Sequence, residues 1–333
     1  MKSLVLEDKD RELVLLDRPD PVATGRQAVV RILAAALNHR DAWIRQGRYA
    51  GLKFPVIPGS DGSGVVLSVG DDDDAHWVGQ EVIINPSMGW GDSQTHQDQQ
   101  HYRILGLPDD GTLSEQVMVP VNSLVPKPPS LSFEEAAALP LAGLTAFRAL
   151  FKRGSCLPGE RVLITGVGGG VASFALQFAL AAGAIVYISS GSPEKIEKAL
   201  ALGATAGVDY KDPGWVQSLQ RQAGDFDLVI DGAAGEGVAA LLQLTRPGGR
   251  LVFYGATRGN PTGIDMRRIF WKQLNILGST MGSPEDFSEM IAFVDRHGIH
   301  PVIDTVFSME EGETALRRMD DGRQFGKIII KIP

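Results

Sequence analysis

The chain has 333 residues, 44% hydrophobic and 22% charged, with a mean hydropathy of -0.01, which excludes a disordered chain or a small disulfide scaffold and suits a two-domain globular protein. Lys and Arg number 32 against 40 Asp and Glu, a net charge of -8 that leaves no cationic excess for a phosphate backbone, so nucleic acid is not expected as a partner. The single cysteine, Cys156, forms no internal disulfide and no thiolate zinc site. The N-terminal apolar run meets Glu7 and Asp8 too early for an export signal, so the chain reads as cytosolic.

Residues 1–125 carry short β-type runs separated by Gly and Pro: 27–32, 64–69, 80–84 and 115–119. They predict a compact, mainly antiparallel β region. Asp71 to Asp74 reads as a solvated turn, since the run lacks the EF-hand spacing. The proline cluster at 126–129 interrupts regular structure, and Ser132-Phe133-Glu134-Glu135 offers a capping box before an Ala-rich helix. The domain boundary is therefore expected after residue 125.

From Arg161 to about Thr280 strands and helices alternate. Strands are predicted at 162–165, 185–188, 227–230, 250–254 and 275–278, with helices from Val171 and near Glu194, an α/β pattern that argues for a doubly wound parallel sheet. Val162 to Pro193 runs without a charge, longer than the roughly 20 residues needed to cross a bilayer. Gly166, Gly168, Gly169, Gly170 and Gly183 divide it, however, and a β-α-β unit buried on both faces explains it better than a membrane span. Residues 283–333 add a helix at 309–319 and a last strand at 327–332, expected to rejoin residues 1–125 and close a cleft between the two domains.

Gly166-Val167-Gly168-Gly169-Gly170-Val171 follows a strand and opens a helix, the context in which backbone N–H groups meet a pyrophosphate at a helix N-terminus. The next strand ends at Ser189-Ser190, with no Asp or Glu where an NAD enzyme commonly holds the ribose hydroxyls. Hydroxyl donors and Lys195 suit a ribose 2′-phosphate, so NADPH is the expected cofactor, although Lys195 also reads as a solvated first-turn lysine.

These motifs, with Leu37-Asn38-His39-Arg40-Asp41, Pro58-Gly59-Ser60-Asp61-Gly62-Ser63-Gly64, Leu141-Ala142-Gly143-Leu144-Thr145-Ala146, Pro247-Gly248-Gly249-Arg250 and Gly278-Ser279-Thr280-Met281-Gly282, resemble the medium-chain dehydrogenase/reductase superfamily over essentially the whole chain. The resemblance implies a Rossmann cofactor domain at 126–282 and a GroES-like catalytic domain at 1–125 and 283–333. It further implies that Lys195 and Tyr210 contact the 2′-phosphate, that Gly255 and Met281 belong to the cofactor site, and that the protein is a homodimer joined at cofactor-domain edge strands, with 275–278 and the preceding chain as the edge.

Departures from the zinc alcohol dehydrogenases of that superfamily decide the expected chemistry. Their ligand cysteine is replaced by Asn38 and their Gly-His-Glu by Gly59-Ser60-Asp61, while the region of their structural-zinc lobe, 85–108, holds no cysteine. A substitute metal site around His39 with Asp41 or Asp61, or around His96 and His101, lacks recognised ligand spacing. No metal is expected. Without a Lewis acid, donors must stabilise the developing oxyanion, and Asn38, Tyr49 and Thr145 are the candidate catalytic residues. Tyr49 resembles the active-site tyrosine of enoyl thioester reductases and Thr145 the family threonine near the nicotinamide. Tyr49 reads equally as a loop residue, and Thr145 also as a plain helix residue. Trp43, Phe270 and Met281 read first as core and second as an apolar substrate lining.

The expected function is a zinc-independent, NADPH-dependent oxidoreductase that passes hydride to a small-molecule quinone or α,β-unsaturated carbonyl. An NADP-dependent alcohol or aldehyde dehydrogenase and a non-catalytic NADPH-binding sensor or scaffold are the alternatives.

Overall fold

The computed structural model describes residues 1–333 as two units, Met1–Leu144 with Gly282–Pro333, and Thr145–Met281. The first opens with an antiparallel pair, β1 (Lys2–Val5) and β2 (Val14–Asp17), followed by the long strand β3 (Gly25–Ala36). Helix α1 (His39–Arg45) leaves the end of β3 and the chain returns as β4 (Asp61–Gly70), antiparallel to it, with Asp61 opposite Ala36. A Cβ on Gly64 would stand 1.9 Å from the Arg31 carbonyl oxygen, so only glycine lets the two strands pass this closely beside their register shifts. Strand β5 (Glu81–Ile84) and a short pair, β6 (Ser87–Met88) with β7 (Arg103–Ile104), follow; β8 (Gln116–Pro120) pairs with β3, and β9 (Leu124–Pro126) with β5.

Two local expectations change here. Asp71 caps a 3-10 turn, Asp72–Trp77, in which Asp74 is buried and paired with Arg26 at 3.0 Å, so the acidic run is not wholly solvated. The proline cluster also does not end the unit. Helix α2 (Phe133–Ala138) begins with the expected capping box, Ser132 Oγ accepting from Glu135 N at 3.1 Å and Glu135 Oε2 from Ser132 N at 2.9 Å, and buries Ala137 and Ala138 against Ala34 and Ala36 of β3. That packing ties residues 126–144 to the β unit, and the division falls within α3 (Pro140–Phe147).

The second unit is a six-stranded, all-parallel sheet. Its elements alternate as β10 (Arg161–Ile164), α4 (Gly170–Ala181), β11 (Ile185–Ser190), α5 (Pro193–Ala201), β12 (Ala206–Asp209), α6 (Trp215–Ala223), β13 (Phe226–Asp231), α7 (Val238–Leu244), β14 (Thr245–Phe253), α8 (Met266–Lys272) and β15 (Asn275–Gly278). The spatial order β12-β11-β10-β13-β14-β15 reverses direction between β10 and β13, the point at which open α/β sheets seat their ligands. The uncharged run supplies β10, α4 and β11, whose apolar side chains are mostly buried, and no helix is long and apolar enough to cross a membrane.

The chain then returns to the first unit through α9 (Pro284–His297), β16 (Ile303–Ser308), α10 (Gly312–Asp320) and β17 (Lys327–Lys331). Strand β17 pairs antiparallel with β3, completing the order β16-β17-β3-β4-β5-β9. Gly326, at φ +96° and with the Val302 carbonyl oxygen 2.2 Å from where a Cβ would sit, fixes the entry into β17.

Candidate functional site

The N-cap of α1, just past β3, the start of β4 and the start of β17 come together, and each presents a polar residue to the interior. Asn38, Asp61 and Lys327 are 5%, 0% and 2% exposed. Lys327 Nζ donates to Asn38 Oδ1 at 2.7 Å and to Asp61 Oδ2 at 2.8 Å, and Asn38 Nδ2 donates to the same Asp61 oxygen at 2.9 Å. The other carboxylate oxygen accepts from the backbone N–H of Leu141, in the first turn of α3, at 2.8 Å. An ammonium only donates and a carboxylate only accepts, so the chemistry of the neighbours fixes which end of the Asn38 amide is oxygen.

The adjoining residues are equally committed. Asp41 accepts from the backbone N–H of Asn38 at 2.8 Å and of Gly59 at 3.2 Å; burial pushes its carboxyl up from its ordinary value, against the pull of Arg40 and these N–H groups. Buried Arg40 donates to Ser60 Oγ at 2.6 Å and the Leu105 carbonyl at 2.7 Å, and its guanidinium lies 4.9 Å from the centre of the half-buried Tyr49 ring.

A zinc ion does not fit this donor set. Its oxygens belong to an amide and a carboxylate that already share an ammonium at 2.7–2.8 Å, a cation that would repel a divalent ion, and neither thiolate nor imidazole joins them. The His39 ring stands edge-on to Trp43 at 4.6 Å, and burial lowers its pKa. His96 bonds Ser93 and Thr95, and His101 pairs with Asp98 at the surface. No group of three or more His, Cys, Asp or Glu is placed to hold a metal. Cys156 is buried away from these groups, and burial pushes its thiol up to about 11.

The second unit carries the glycine turn. Gly166 and Gly168 have φ +63° and +124°, and Gly169 ends the turn with nothing within 4 Å of where its Cβ would stand, an open cradle at the N-terminus of α4, whose first residues are Gly170 and Val171. Val167 N donates to the Ser189 carbonyl at 3.0 Å and Ser190 Oγ to the Val167 carbonyl at 3.1 Å, so Ser189 and Ser190 brace the turn from β11 and are themselves buried. The Lys195 side chain folds over the turn, its Cδ 2.6 Å from where a Gly168 Cβ would sit. The Tyr210 ring lies against Gly191, and the Arg258 guanidinium sits 4.8 Å over that ring. At the switch point Asp231 accepts from the Thr165 hydroxyl and from Ala233 and Ala234 N–H; burial nevertheless pushes its carboxyl up. Gly255 crowds the Gly232 carbonyl, 2.9 Å from an added Cβ, and Thr145 Oγ1 donates to buried Met281 Sδ at 3.6 Å. A dinucleotide fits this cradle: open glycine backbone, a helix N-terminus and cations at Lys195 and Arg258.

Residues 24–129 match the family described as alcohol dehydrogenase GroES-like domain, and residues 170–296 that described as zinc-binding dehydrogenase. The zinc-type alcohol dehydrogenase-like protein of Leptosphaeria maculans is 36% identical over 340 residues, covering 96% of this chain and 94% of that protein. The chain belongs to the medium-chain dehydrogenase/reductase family. Another relative, mouse quinone oxidoreductase, is 29% identical over 93% of this chain and 90% of its own. A solved NAD-dependent alcohol dehydrogenase superposes with a TM-score of 0.92 at 35% identity, covering all of both chains. As a medium-chain dehydrogenase/reductase this protein is an oxidoreductase with a pyridine-nucleotide fold, a Rossmann sheet joined to a GroES-like unit.

Within this medium-chain dehydrogenase/reductase the first unit gathers Asn38, Asp61 and Lys327 and places Tyr49 on Arg40; the second gathers the glycine turn, Lys195, Ser189 and Ser190. Phe270 departs from the first expectation for it, being 65% exposed on α8 and not part of the core. Lys327 and Arg258 are not singled out by the sequence because the partner of each lies far away in the chain.

Proposed function

We propose that this chain is a zinc-independent, NADPH-dependent reductase of quinones or α,β-unsaturated carbonyls. The observation that carries the reading is the ammonium of Lys327 seated between Asn38 and Asp61, which leaves hydrogen-bond donors, not a metal, to polarise a substrate oxygen. NADPH would supply the hydride, held by the glycine turn with Lys195 and Tyr210 at its 2′-phosphate. Asn38 and Thr145 donate hydrogen bonds to the oxygen that gains charge, and the Tyr49 hydroxyl is the proton donor, a role worth typically about 10²- to 10⁴-fold. For an enone the balance is one hydride to the β-carbon and one proton to the α-carbon, with NADPH oxidised to NADP.

The solved NAD-dependent alcohol dehydrogenase favours a second reading, alcohol or aldehyde oxidoreduction. NADPH oxidation by chelator-treated protein, followed against 1,4-benzoquinone, a short enone and a matched aldehyde, separates the two. Turnover with quinone or enone supports the first, turnover with the aldehyde alone the second, and saturable NADPH binding without turnover a sensor or scaffold. We further assign a homodimer through β15, an edge strand whose Ile276 is exposed; on the preceding helix α8, Trp271 is 82% exposed. Trp271→Glu should convert a dimer to monomer by light scattering.

A further inference from the structure

We propose that Lys327 is a positioning residue: with Asp61 it locks the Asn38 side chain as a hydrogen-bond donor and cancels the carboxylate charge beside it. The proposal rests on the reading of Asn38 as the donor to a substrate oxygen. Both ends of the amide are held, Oδ1 by the ammonium at 2.7 Å and Nδ2 by Asp61 at 2.9 Å, so a flip would set oxygen against carboxylate and N–H against ammonium. One Nδ2–H is spent on Asp61 and the second remains for an acceptor. Asp61 alone would hold the amide as a donor, yet its negative charge would oppose an oxyanion gathering at the second N–H. The Lys327 ammonium, 2.8 Å from the same carboxylate oxygen, makes the pair neutral.

The backbone supports this assignment. Gly326 admits the Val302 carbonyl where no other residue would, Lys327 N donates to that carbonyl at 2.9 Å, and Ile329 opposite Ala36 sets the register that carries Lys327 inward. The lysine replaces a cation by a fixed one, with no site to fill or empty.

The test uses the full chain labelled with ¹⁵N at its five asparagines, with the Asn38 side-chain signal assigned by its loss in Asn38→Ala. Lys327→Met is expected to move that signal, to speed exchange of its hydrogens, and to lower kcat for the better of quinone or enone about 10- to 100-fold, with KM and the NADPH Kd within about twofold. Should that variant fail to fold, the double variant Asp61→Asn/Lys327→Met, which leaves no lone buried charge, is read against Asp61→Asn alone, so that only Lys327 differs between the two and the same outcomes decide. An unmoved Asn38 signal, or an unchanged kcat with a moved one, overturns the proposal. If the wild-type protein turns over neither quinone nor enone, the reductase reading fails by itself, and the Asn38 signal still decides whether Lys327 clamps the amide.

Discussion

Two polar centres of this protein are built on opposite plans. The glycine turn of the second unit is local and hollow: within five consecutive residues Gly166 and Gly169 have nothing within 4 Å of where a Cβ would stand, and what matters is that atoms are missing. The knot of the first unit is non-local and full: residues 38, 61, 141 and 327 meet through hydrogen bonds, with one Asn38 N–H left over. A hollow centre fails when something is added, a full one when something is taken away.

The largest effect should come from taking away. Asp61→Ala leaves the Lys327 ammonium buried without its counter-charge and should cost about 3–5 kcal/mol in chemical denaturation, most of it regained in Asp61→Asn/Lys327→Met. A loss below about 1 kcal/mol would mean that the knot is not a closed unit. On the hollow side, Gly168→Ala forces a side chain to φ +124° against Lys195 and should cost about 1–3 kcal/mol of stability. Its neighbour Gly169→Ala, free of contacts and at φ -77°, should leave the unfolding midpoint in place while weakening NADPH binding; equal behaviour of the two would erase the distinction between backbone strain and cradle space.

Smaller effects sharpen the comparison. Lys195→Ala should weaken NADPH by about 1.5–3 kcal/mol, roughly tenfold to a hundredfold, and NADH much less, as isothermal titration would reveal. Equal losses for both nucleotides would remove Lys195 from the 2′-phosphate. Last comes Asp227, at the outer end of β13. Burial pushes its carboxyl up, but the Arg161 backbone N–H and the Arg246 guanidinium outweigh that and hold it below the ordinary value. A depressed carboxyl stabilises the fold above its unfolded pKa, about 3.9, and loses that contribution as pH falls through the lower folded value. The stability gap between wild type and Asp227→Asn should therefore narrow from pH 7 to pH 3; a constant gap would deny the shift.

The same contrast explains how much the sequence discloses. The turn is legible because strand, glycines and helix are contiguous, and its neighbours follow from the β-α-β spacing. The capping box at Ser132 is legible for the same reason, although its consequence is not: that α2 packs on β3, and so belongs to the first unit, depends on Ala34 and Ala36 a hundred residues earlier. Asp74 reads as solvated because its partner, Arg26, lies in another strand. Lys327 left one clue. Period two puts it on the face of Ile329, an inward position in an otherwise apolar strand; yet Lys331 shares that face and is exposed, so periodicity alone does not separate the two lysines. Asn38 and Asp61 are visible as departures from a metal-binding pattern, but what replaces the metal lies 266 residues from Asp61.

Strand β17 also dictates an order of assembly. Residues 145–281 form a contiguous unit that can settle as soon as they leave the ribosome, whereas the unit begun first lacks the strand that pairs with the end of β3 and the counter-ion of Asp61 until residue 327 has been added. The earliest part of the chain to be synthesised is thus the later one to be finished, and a nascent chain stalled before Gly326 would hold a folded nucleotide-binding sheet tethered to a β region that still carries an unneutralised carboxylate in its interior.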